Sequence, residues 1–268
     1  WTETEGERSH PKSKHPILSE FAVRQAISLC IDRDGVQKFI YGRTGIATAN
    51  FLNNPQRFVS KNTKFEFNPD KAAQVLEAAG WKKGADGIRE KGGKKLKLVF
   101  QTSINGPRQK TQQIIKQAAQ KAGIDMELKA VPASVYFSSD PANPDTYTKL
   151  FVDMQMFTTT MPQPDPEVFM NQYLSDQFAT KANKWLGRNS TRYSNPEYDK
   201  TYLAAQSEMD PVKRAALFVR MNDMPVNDIV IIPVVYRPRT SAAVNNLVAP
   251  LSGWDNDLWL LKDWYKNT

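Results

Sequence analysis

Two carboxylates, Asp165 and Glu167, lie close together in the stretch TMPQPDPEVF and are the clearest candidates for acid–base chemistry in this 268-residue chain. A pair of carboxyl groups can act as general acid and base, as in glycoside hydrolysis. Asp165, however, stands between Pro164 and Pro166, and a capping residue followed by proline is typical of a helix start. We therefore predict that Asp165 caps a helix running through VFMNQYL and is not catalytic.

Other side chains that could do chemistry are few. The two histidines, His10 and His15, lie in a polar N-terminal stretch, and the single Cys30 lies among apolar residues, where a buried, inert thiol is expected. Met154 and Met156 alternate on a predicted strand, so they share one face and are predicted to pack in the core rather than bind a soft metal. The sequence has no G-x-S-x-G, P-loop or G-x-G-x-x-G motif. We predict no catalytic residue, no metal site and no cofactor.

The net charge of +8 makes nucleic-acid binding a function to consider. Much of the excess lies between Lys82 and Lys97, where seven Lys and Arg residues accompany two acids. This stretch is rich in glycine and has no aromatic side chain on which a base could stack, so it is predicted to be an exposed hairpin with solvated lysines. No nucleic-acid partner is predicted. No run of about 18 apolar residues indicates a membrane span.

The helices are predicted from apolar spacing and from capping residues. Ser19 is the predicted N-cap of a helix from Phe21 to about Asp32, and a second helix is predicted from Gly35 to Tyr41. Three further helix starts are predicted where a capping residue precedes a proline: Asn68, Asn195 and Asp210.

The strands are predicted from alternating apolar residues. Lys95 to Thr102 and Asp125 to Val131 both alternate, and the amphipathic stretch from Arg108 to Gly123 separates them. A strand, a helix and a strand of these lengths predict a β-α-β unit with parallel strands. Further strands are predicted from Lys149 to Thr158 and, nearly all apolar, from Asp228 to Pro238. The fold class is therefore α/β.

Eight short motifs follow one another along the chain: VRQAISLCIDRDGV, FNPDKAAQVLEAAGW, ADGIREKGGKKLKL, AGIDMEL, PDP, SNPEYD, DPVKRAALF and IIPVVYRP. In this order they resemble the C-terminal half of the extracellular solute-binding proteins of family 5, which bind oligopeptides, dipeptides, nickel complexes or opines for ABC importers. The resemblance implies a fold like that of the type II periplasmic binding proteins, in which two lobes enclose a solute.

The same resemblance implies a domain organisation. Residues 17–238 would form the second lobe, a mixed sheet flanked by helices. Residues 1–16 would be a polar leader near the hinge, and the Trp-rich residues 239–268 would return to a first lobe outside this chain. We expect an export signal upstream of Trp1, a periplasmic location, and a monomer that docks on ABC transporter permease subunits.

The resemblance places solute contacts on two loops, TSINGPR (Thr102 to Arg108) and FTTTMPQPDP (Phe157 to Pro166). Loops at the carboxyl ends of strands in an open α/β sheet are also where ligands usually bind. The candidate residues on these loops are Thr102, Ser103, Asn105, Phe157, Thr158, Thr159, Thr160, Met161 and Gln163.

Two positions depart from the peptide-binding pattern. Pro162 stands where relatives have an aspartate that pairs with a peptide ammonium group, and Thr102 stands where dipeptide binders have an arginine for the ligand carboxylate. Because an unpaired buried charge is costly, we predict a neutral-lined site that disfavours free dipeptides. The expected solute is an opine, a sugar conjugate or a modified peptide.

Two other functions stay open on the sequence alone. The chain could belong to a sensing protein that passes its solute to a receptor, whereas a neighbouring permease and ATPase gene pair would favour transport. It could also belong to a carboxylate-dependent hydrolase, because two catalytic acids need no fixed spacing in sequence. Turnover of a solute by the two-lobed protein would favour that function.

Overall fold

The computed structural model describes residues 3–254 and 258–267. Within them the α-helices are α1 (Phe21–Leu29), α2 (Arg33–Val36), α3 (Pro69–Ala78), α4 (Gly106–Ala122), α5 (Ala133–Tyr136), α6 (Glu167–Met170), α7 (Pro196–Ser207) and α8 (Pro211–Asn227). The strands are β1 (Ile46–Ala47), β2 (Lys82–Lys83), β3 (Arg89–Lys91), β4 (Lys94–Lys95), β5 (Lys97–Ser103), β6 (Asp125–Val131), β7 (Met154–Met156), β8 (Val235–Tyr236), β9 (Leu247–Val248) and β10 (Tyr265–Lys266). The chain is α/β, as predicted.

The central sheet has the strand order β6-β5-β7, and both neighbouring pairs are parallel. Helix α4 connects β5 to β6, which confirms the predicted β-α-β unit. Leu98 and Phe100 on β5 point into the core together with Leu96 just before it. Gly123 ends α4 in the left-handed conformation, as its position after an amphipathic helix predicted.

Strand β7 is shorter than the predicted strand from Lys149 to Thr158. Asp153 supplies the reason, because its Oδ2 accepts a hydrogen bond from the backbone N–H of Val99 at 2.6 Å, where a main-chain carbonyl would continue the ladder. Its Oδ1 lies 2.8 Å from Nε2 of the buried His15, whose Nδ1 accepts two backbone N–H groups. His15 therefore donates from Nε2 to Asp153, and the polar leader is attached to the sheet.

The first hydrophobic core lies between this sheet and the helices α1, α3 and α4. Its large buried members include Val23, Ile27, Leu76, Trp81, Leu98, Phe100, Ile115, Ile124 and Met126. Cys30 is buried in the same core, and burial raises the pKa of its thiol to about 12, so the thiol stays protonated and inert as predicted. Met154 and Met156 pack against this core, which confirms their predicted structural role.

The ends of α1 differ from the prediction. Glu20, not Ser19, occupies the N-cap position, and the helix ends at Leu29 rather than near Asp32. Asp32 instead caps α2, since its Oδ1 accepts the backbone N–H of Gly35 at 2.8 Å. A short polar side chain that can cap a new helix competes with continuation of the old one.

The second hydrophobic core is built by α6, α7, α8 and the segment around Leu52 and Phe58. Its buried members include Phe169, Met170, Tyr173, Tyr198, Phe218 and Met221. Helices α7 and α8 begin as predicted: Asn195 accepts backbone N–H groups at the start of α7, and Asp210 does so at the start of α8. Asn68 caps α3 in the same way.

The predicted strand from Asp228 to Pro238 is largely wrong. Only β8 pairs, antiparallel to β1, and the residues before it turn back on the end of α8. The backbone N–H of Val230 donates to the carbonyl of Pro225 at 3.0 Å, and the carbonyl of Pro233 accepts Nε of Arg33 at 2.7 Å. These bonds occupy groups that a strand would offer to a neighbour, so the apolar run packs as an irregular segment.

The basic stretch forms the antiparallel meander β2-β3-β4, and its lysines are exposed as predicted. Arg89 is the exception, because its side chain is buried. Its Nε donates to the carbonyl of Ala122 at 2.8 Å, and its Nη1 donates to the carbonyl of Trp81 at 2.6 Å and to Glu77. Arg89 thereby joins the meander to the ends of α3 and α4.

We expect Gly123→Ala to lower the free energy of unfolding by about 1–3 kcal/mol, because φ there is +88°. An added Cβ would also lie 2.8 Å from Cγ of the buried Arg89. Urea denaturation measures the change. Gly106→Ala is the matched control at the other end of α4, where the new Cβ lies within 4 Å of no described atom apart from its chain neighbours and the backbone of its own helix. Equal stability of the two variants would contradict the assigned role of Gly123.

The C-terminal segment forms a small sheet of its own, in which β9 pairs antiparallel with β10. Nε1 of Trp264 donates to the carbonyl of Trp259 at 3.2 Å. Several apolar side chains of this segment are exposed: Leu251, Leu258, Trp259, Leu261 and Tyr265. Within residues 3–254 and 258–267, no helix combines the length and apolar character needed to cross a bilayer.

Candidate functional site

The three parallel strands of the central sheet end at one edge. β6 ends at Val131, β5 at Ser103 and β7 at Met156, and the chain leaves this carboxyl edge in three loops. Two of these loops carry the residues predicted from the sequence. Parallel strands thus bring together loops that lie about fifty residues apart in sequence.

The last residues of β5 and the first residues of the loop after it hold the edge together. Thr102 is buried, and its hydroxyl donates to the carbonyl of Met156 at 2.7 Å, which ties β5 to β7. Ser103 is also buried, and its Oγ accepts a hydrogen bond from Nη1 of Arg108 at 2.7 Å. Asn105 caps α4 through an Oδ1 that lies 3.3 Å from the backbone N of Arg108. All three side chains therefore form hydrogen bonds within the protein.

Arg108 is the charged group that these contacts position at the edge. Its side chain is half-buried in the first turn of α4, where the helix dipole disfavours a cation. Among the residues that the structure describes, no carboxylate forms an ion pair with it. A held cation without an acidic partner is suited to bind an anionic group of a ligand. The neutral lining predicted from the sequence considered Thr102 and Pro162 and did not consider Arg108, and it stays a prediction.

An aromatic cluster lies beside this edge. Phe157, the first residue after β7, has its ring centroid 5.1 Å from that of Tyr147 and 6.3 Å from that of Tyr136. Phe137 joins the cluster at 4.9 Å from Tyr136 and is partly exposed. The hydroxyl of Tyr136 donates to the carbonyl of Met156 at 3.4 Å, and burial raises the pKa of that hydroxyl. The half-buried rings of Tyr147 and Phe157 and the exposed ring of Phe137 offer an apolar surface at the edge where the charge of Arg108 acts on Tyr136.

Sequence analysis missed the aromatic members Tyr136, Phe137 and Tyr147. They lie in the long connection between β6 and β7, which leaves the same carboxyl edge as the two predicted loops. The sequence signal that could have found them is the predicted parallel strand β6. The residues that follow a parallel strand lie at the same edge of the sheet as the loops after its neighbours.

The remaining candidates follow Phe157 along the β7 loop. Thr158, Thr159 and Thr160 are exposed, as is Gln163, while Met161 is half-buried and packs against the second core. The loop therefore runs from the sheet edge toward the second core and presents its hydroxyl groups to solvent. This surface adjoins the aromatic cluster through Phe157.

Asp165 and Glu167 at the end of this loop are held as an ion-pair network. Oδ1 of Asp165 accepts the backbone N–H of Glu167 at 2.9 Å, as predicted for a capping residue at the start of α6. Both carboxylates pair with the guanidinium of Arg214. Burial raises the pKa of Asp165, but the hydrogen bonds and charge of Arg214 outweigh burial and lower it overall. Such a carboxylate stays ionised and is unsuited to act as a general acid.

The described residues have the fold of the type II periplasmic binding proteins. The chain superimposes on NikZ from Campylobacter jejuni, solved in complex with Ni(L-His), with a TM-score of 0.74 and 22% identity over 94% of this chain and 50% of that chain. It also superimposes on AppA from Bacillus subtilis, solved in complex with a nonapeptide, with a TM-score of 0.72 and 22% identity over 95% of this chain and 49% of that chain.

The sequence identifies the family directly. Residues 6–181 match the family described as bacterial extracellular solute-binding proteins, family 5 Middle, and the chain belongs to this family. The oligopeptide-binding protein AppA of Bacillus subtilis (strain 168) is 28% identical over 206 residues, which are 74% of this chain and 35% of that protein. The chain thus spans about a third of the length of the curated relatives it matches. The relatives are binding proteins.

Proposed function

We propose that this chain is one lobe of the solute-binding component of an ABC importer. The observation that carries the proposal is the position of Arg108, fixed by Ser103 and Asn105 beside an aromatic cluster at the carboxyl edge of a family 5 fold. The complete protein would capture its solute between two lobes in the periplasm and deliver it, as a monomer, to the permease. Closure would be driven by contacts that form only when the solute touches both lobes.

We also propose how the chain is divided between the two lobes. Residues 17–238 form the second lobe, and residues 1–16 a leader close to the hinge. Residues 239–268 return to a first lobe outside this chain. The exposed apolar side chains near Trp259 support this assignment, because apolar surface of this kind is usually covered by a partner surface.

The proposed solute carries a carboxylate and an apolar portion. Arg108 would bind the carboxylate, and the aromatic cluster around Phe157 would pack against the apolar portion. The exposed Thr158, Thr159, Thr160 and Gln163 would add neutral hydrogen bonds, while Thr102, Ser103 and Asn105 would position the edge and Met161 would contribute apolar contact. Peptide-like and opine-like solutes both have this chemistry.

A thermal-shift screen of the complete two-lobed protein tests this proposal. Dipeptides, longer peptides, opines and nickel chelates are each compared with versions whose carboxylate is blocked as an amide. A true solute at 100 times its dissociation constant stabilises the protein by about 2.7 kcal/mol, a shift of several degrees. We expect hits among carboxylates and smaller shifts for their amides. No shift with any of these classes, or turnover of a hit, would contradict the proposed function.

A further inference from the structure

A concave surface lies away from the carboxyl edge, where α1 and α2 face the end of α8. It is a small cavity of about 140 Å³, and its polar lining comes from Ser28, Arg33, Lys64 and Asn227. Since a water molecule occupies about 30 Å³ in the liquid, the cavity has room for an ion of several atoms. None of these residues belongs to the proposed solute site.

Arg33 is the buried charge of this cavity, with 3% of its surface exposed. Among the described residues, only its Nε makes a short hydrogen bond, to the carbonyl of Pro233 at 2.7 Å. Its Nη1 and Nη2 lie 3.5 and 3.4 Å from the carbonyl and the hydroxyl of Ser28, which are long contacts. Burial lowers the pKa of Arg33 to about 10, so its guanidinium remains charged at neutral pH.

The charge of Arg33 is not balanced by an acid at contact distance. Among residues 3–254 and 258–267, no carboxylate forms an ion pair with Arg33, and Asp34 acts on it only through a longer-range attraction. The ring of Phe65 lies 5.1 Å from the guanidinium carbon and supplies a partial counter-charge. A buried cation with two poorly used nitrogen donors favours an anion beside it.

Lys64 supplies a second cation at the same cavity. Its side chain is exposed and makes no ion pair within the described part of the chain. The hydroxyl of Ser28 and the side-chain amide of Asn227 add uncharged polar groups to the lining. The other six lining residues are apolar: Ala49, Val226, Ile229, Ile231, Ile232 and Pro233. The two cations and two neutral polar residues therefore form one polar part of the lining, and its charge is suited to an oxyanion of the phosphate type.

We propose that this cavity binds a small free oxyanion of the phosphate type between Arg33 and Lys64. Arg33 and Ser28 belong to the segment that packs in the first core, whereas Asn227 ends a helix of the second core. A bound anion would therefore connect the two cores and stabilise the arrangement that carries the solute site. Binding of this anion does not depend on which solute the protein binds.

Titration with inorganic phosphate tests the site. The melting temperature of the chain is followed from 0 to 20 mM phosphate at constant ionic strength, with chloride as the balancing anion. We expect a saturable rise of about 2–4 °C, since an anion that binds only the folded chain stabilises it. Isothermal titration calorimetry of the same protein measures the dissociation constant and is expected to give one site per chain.

Two variants distinguish binding of phosphate in this cavity from a general electrostatic attraction of phosphate to a basic protein. Lys64→Gln removes a cation of the cavity at an exposed position, so the variant is expected to fold and to lose the saturable rise. Lys61→Gln removes an exposed charge close by in sequence and outside the cavity lining, and it should respond like the unchanged chain. An unsaturated rise that is equal in all three proteins, or no rise beyond the chloride control, would overturn the proposal.

Discussion

Arg108→Gln is expected to weaken binding of a carboxylate solute by about 10- to 100-fold, because a hydrogen bond to a charged group contributes about 1.5–3 kcal/mol. Glutamine removes the positive charge, and its amide nitrogen lies two bonds short of the position of Nη1, so the hydrogen bond to Oγ of Ser103 is removed as well. Stability should change little, since Arg108 forms no ion pair within the described residues. Calorimetric titration of the complete protein with a hit from the thermal-shift screen measures the effect.

The effect is specific if it depends on the solute carboxylate. Lys110→Gln is the matched control, because Lys110 is an exposed cation on the same helix and should leave affinity unchanged. Blocking the solute carboxylate as an amide should weaken binding to the unchanged protein but add little further loss in the Arg108→Gln variant. If the variant loses equal affinity for the acid and the amide, Arg108 does not bind the carboxylate.

Asn222→Leu is expected to lower the free energy of unfolding by about 2–5 kcal/mol, since each buried polar group left unpaired costs about 1–3 kcal/mol. Asn222 is fully buried in α8, and its Oδ1 accepts the backbone N–H groups of Phe51 and Leu52 at 2.9 Å each. Its Nδ2 donates to Oδ1 of Asn50 at 2.8 Å. Leucine has a similar size but offers none of these bonds. Urea denaturation measures the loss.

Asn227→Leu provides the matched control at the end of the same helix. Asn227 is exposed, so the same substitution there should change stability by no more than about 0.5 kcal/mol in phosphate-free buffer. The segment that Asn222 holds places Phe51 against Phe169, with ring centroids 4.5 Å apart, so the variant should also loosen the second core. A loss below about 1 kcal/mol for Asn222→Leu would show that the two N–H groups find other partners.

Patterns among residues close in sequence were sufficient to predict much of the fold. Asn68, Asn195 and Asp210 each precede a proline, and their caps are fixed within a few residues, so the sequence predicts them well. The β-α-β unit was also predictable because alternation and helical spacing give its elements and the connection implies parallel strands. Once β5 and β7 are parallel, their following loops must share an edge.

The errors in the predicted fold come from interactions between residues distant in sequence. Asp153 shortens β7 through a hydrogen bond to Val99, which no local pattern reveals. The apolar run after Asp228 has the composition of a buried strand, yet its backbone bonds to Pro225 and to Arg33. Composition predicts that such a run is buried but not which partner its backbone finds.

The sequence predicts which loops lie at the carboxyl edge, whereas the side chains that surround them there depend on packing. Both loops reach the carboxyl edge as expected, whereas the aromatic cluster requires the packing of Tyr136 and Tyr147 against Phe157 across separate connections. Arg108 lay inside a loop already considered, but its importance depends on the contact with Ser103 and on the lack of an acidic partner in the described structure. Both are facts of packing rather than of sequence spacing.

Hydrogen exchange of the complete two-lobed protein, with and without a confirmed solute, shows which surface of the lobe binds the solute. If the carboxyl edge is the solute site, binding should slow exchange in residues 103–108, 136–147 and 157–163, and leave the meander of residues 82–95 unchanged. Protection that spares these three segments and appears elsewhere in the chain would show that the solute binds at another surface.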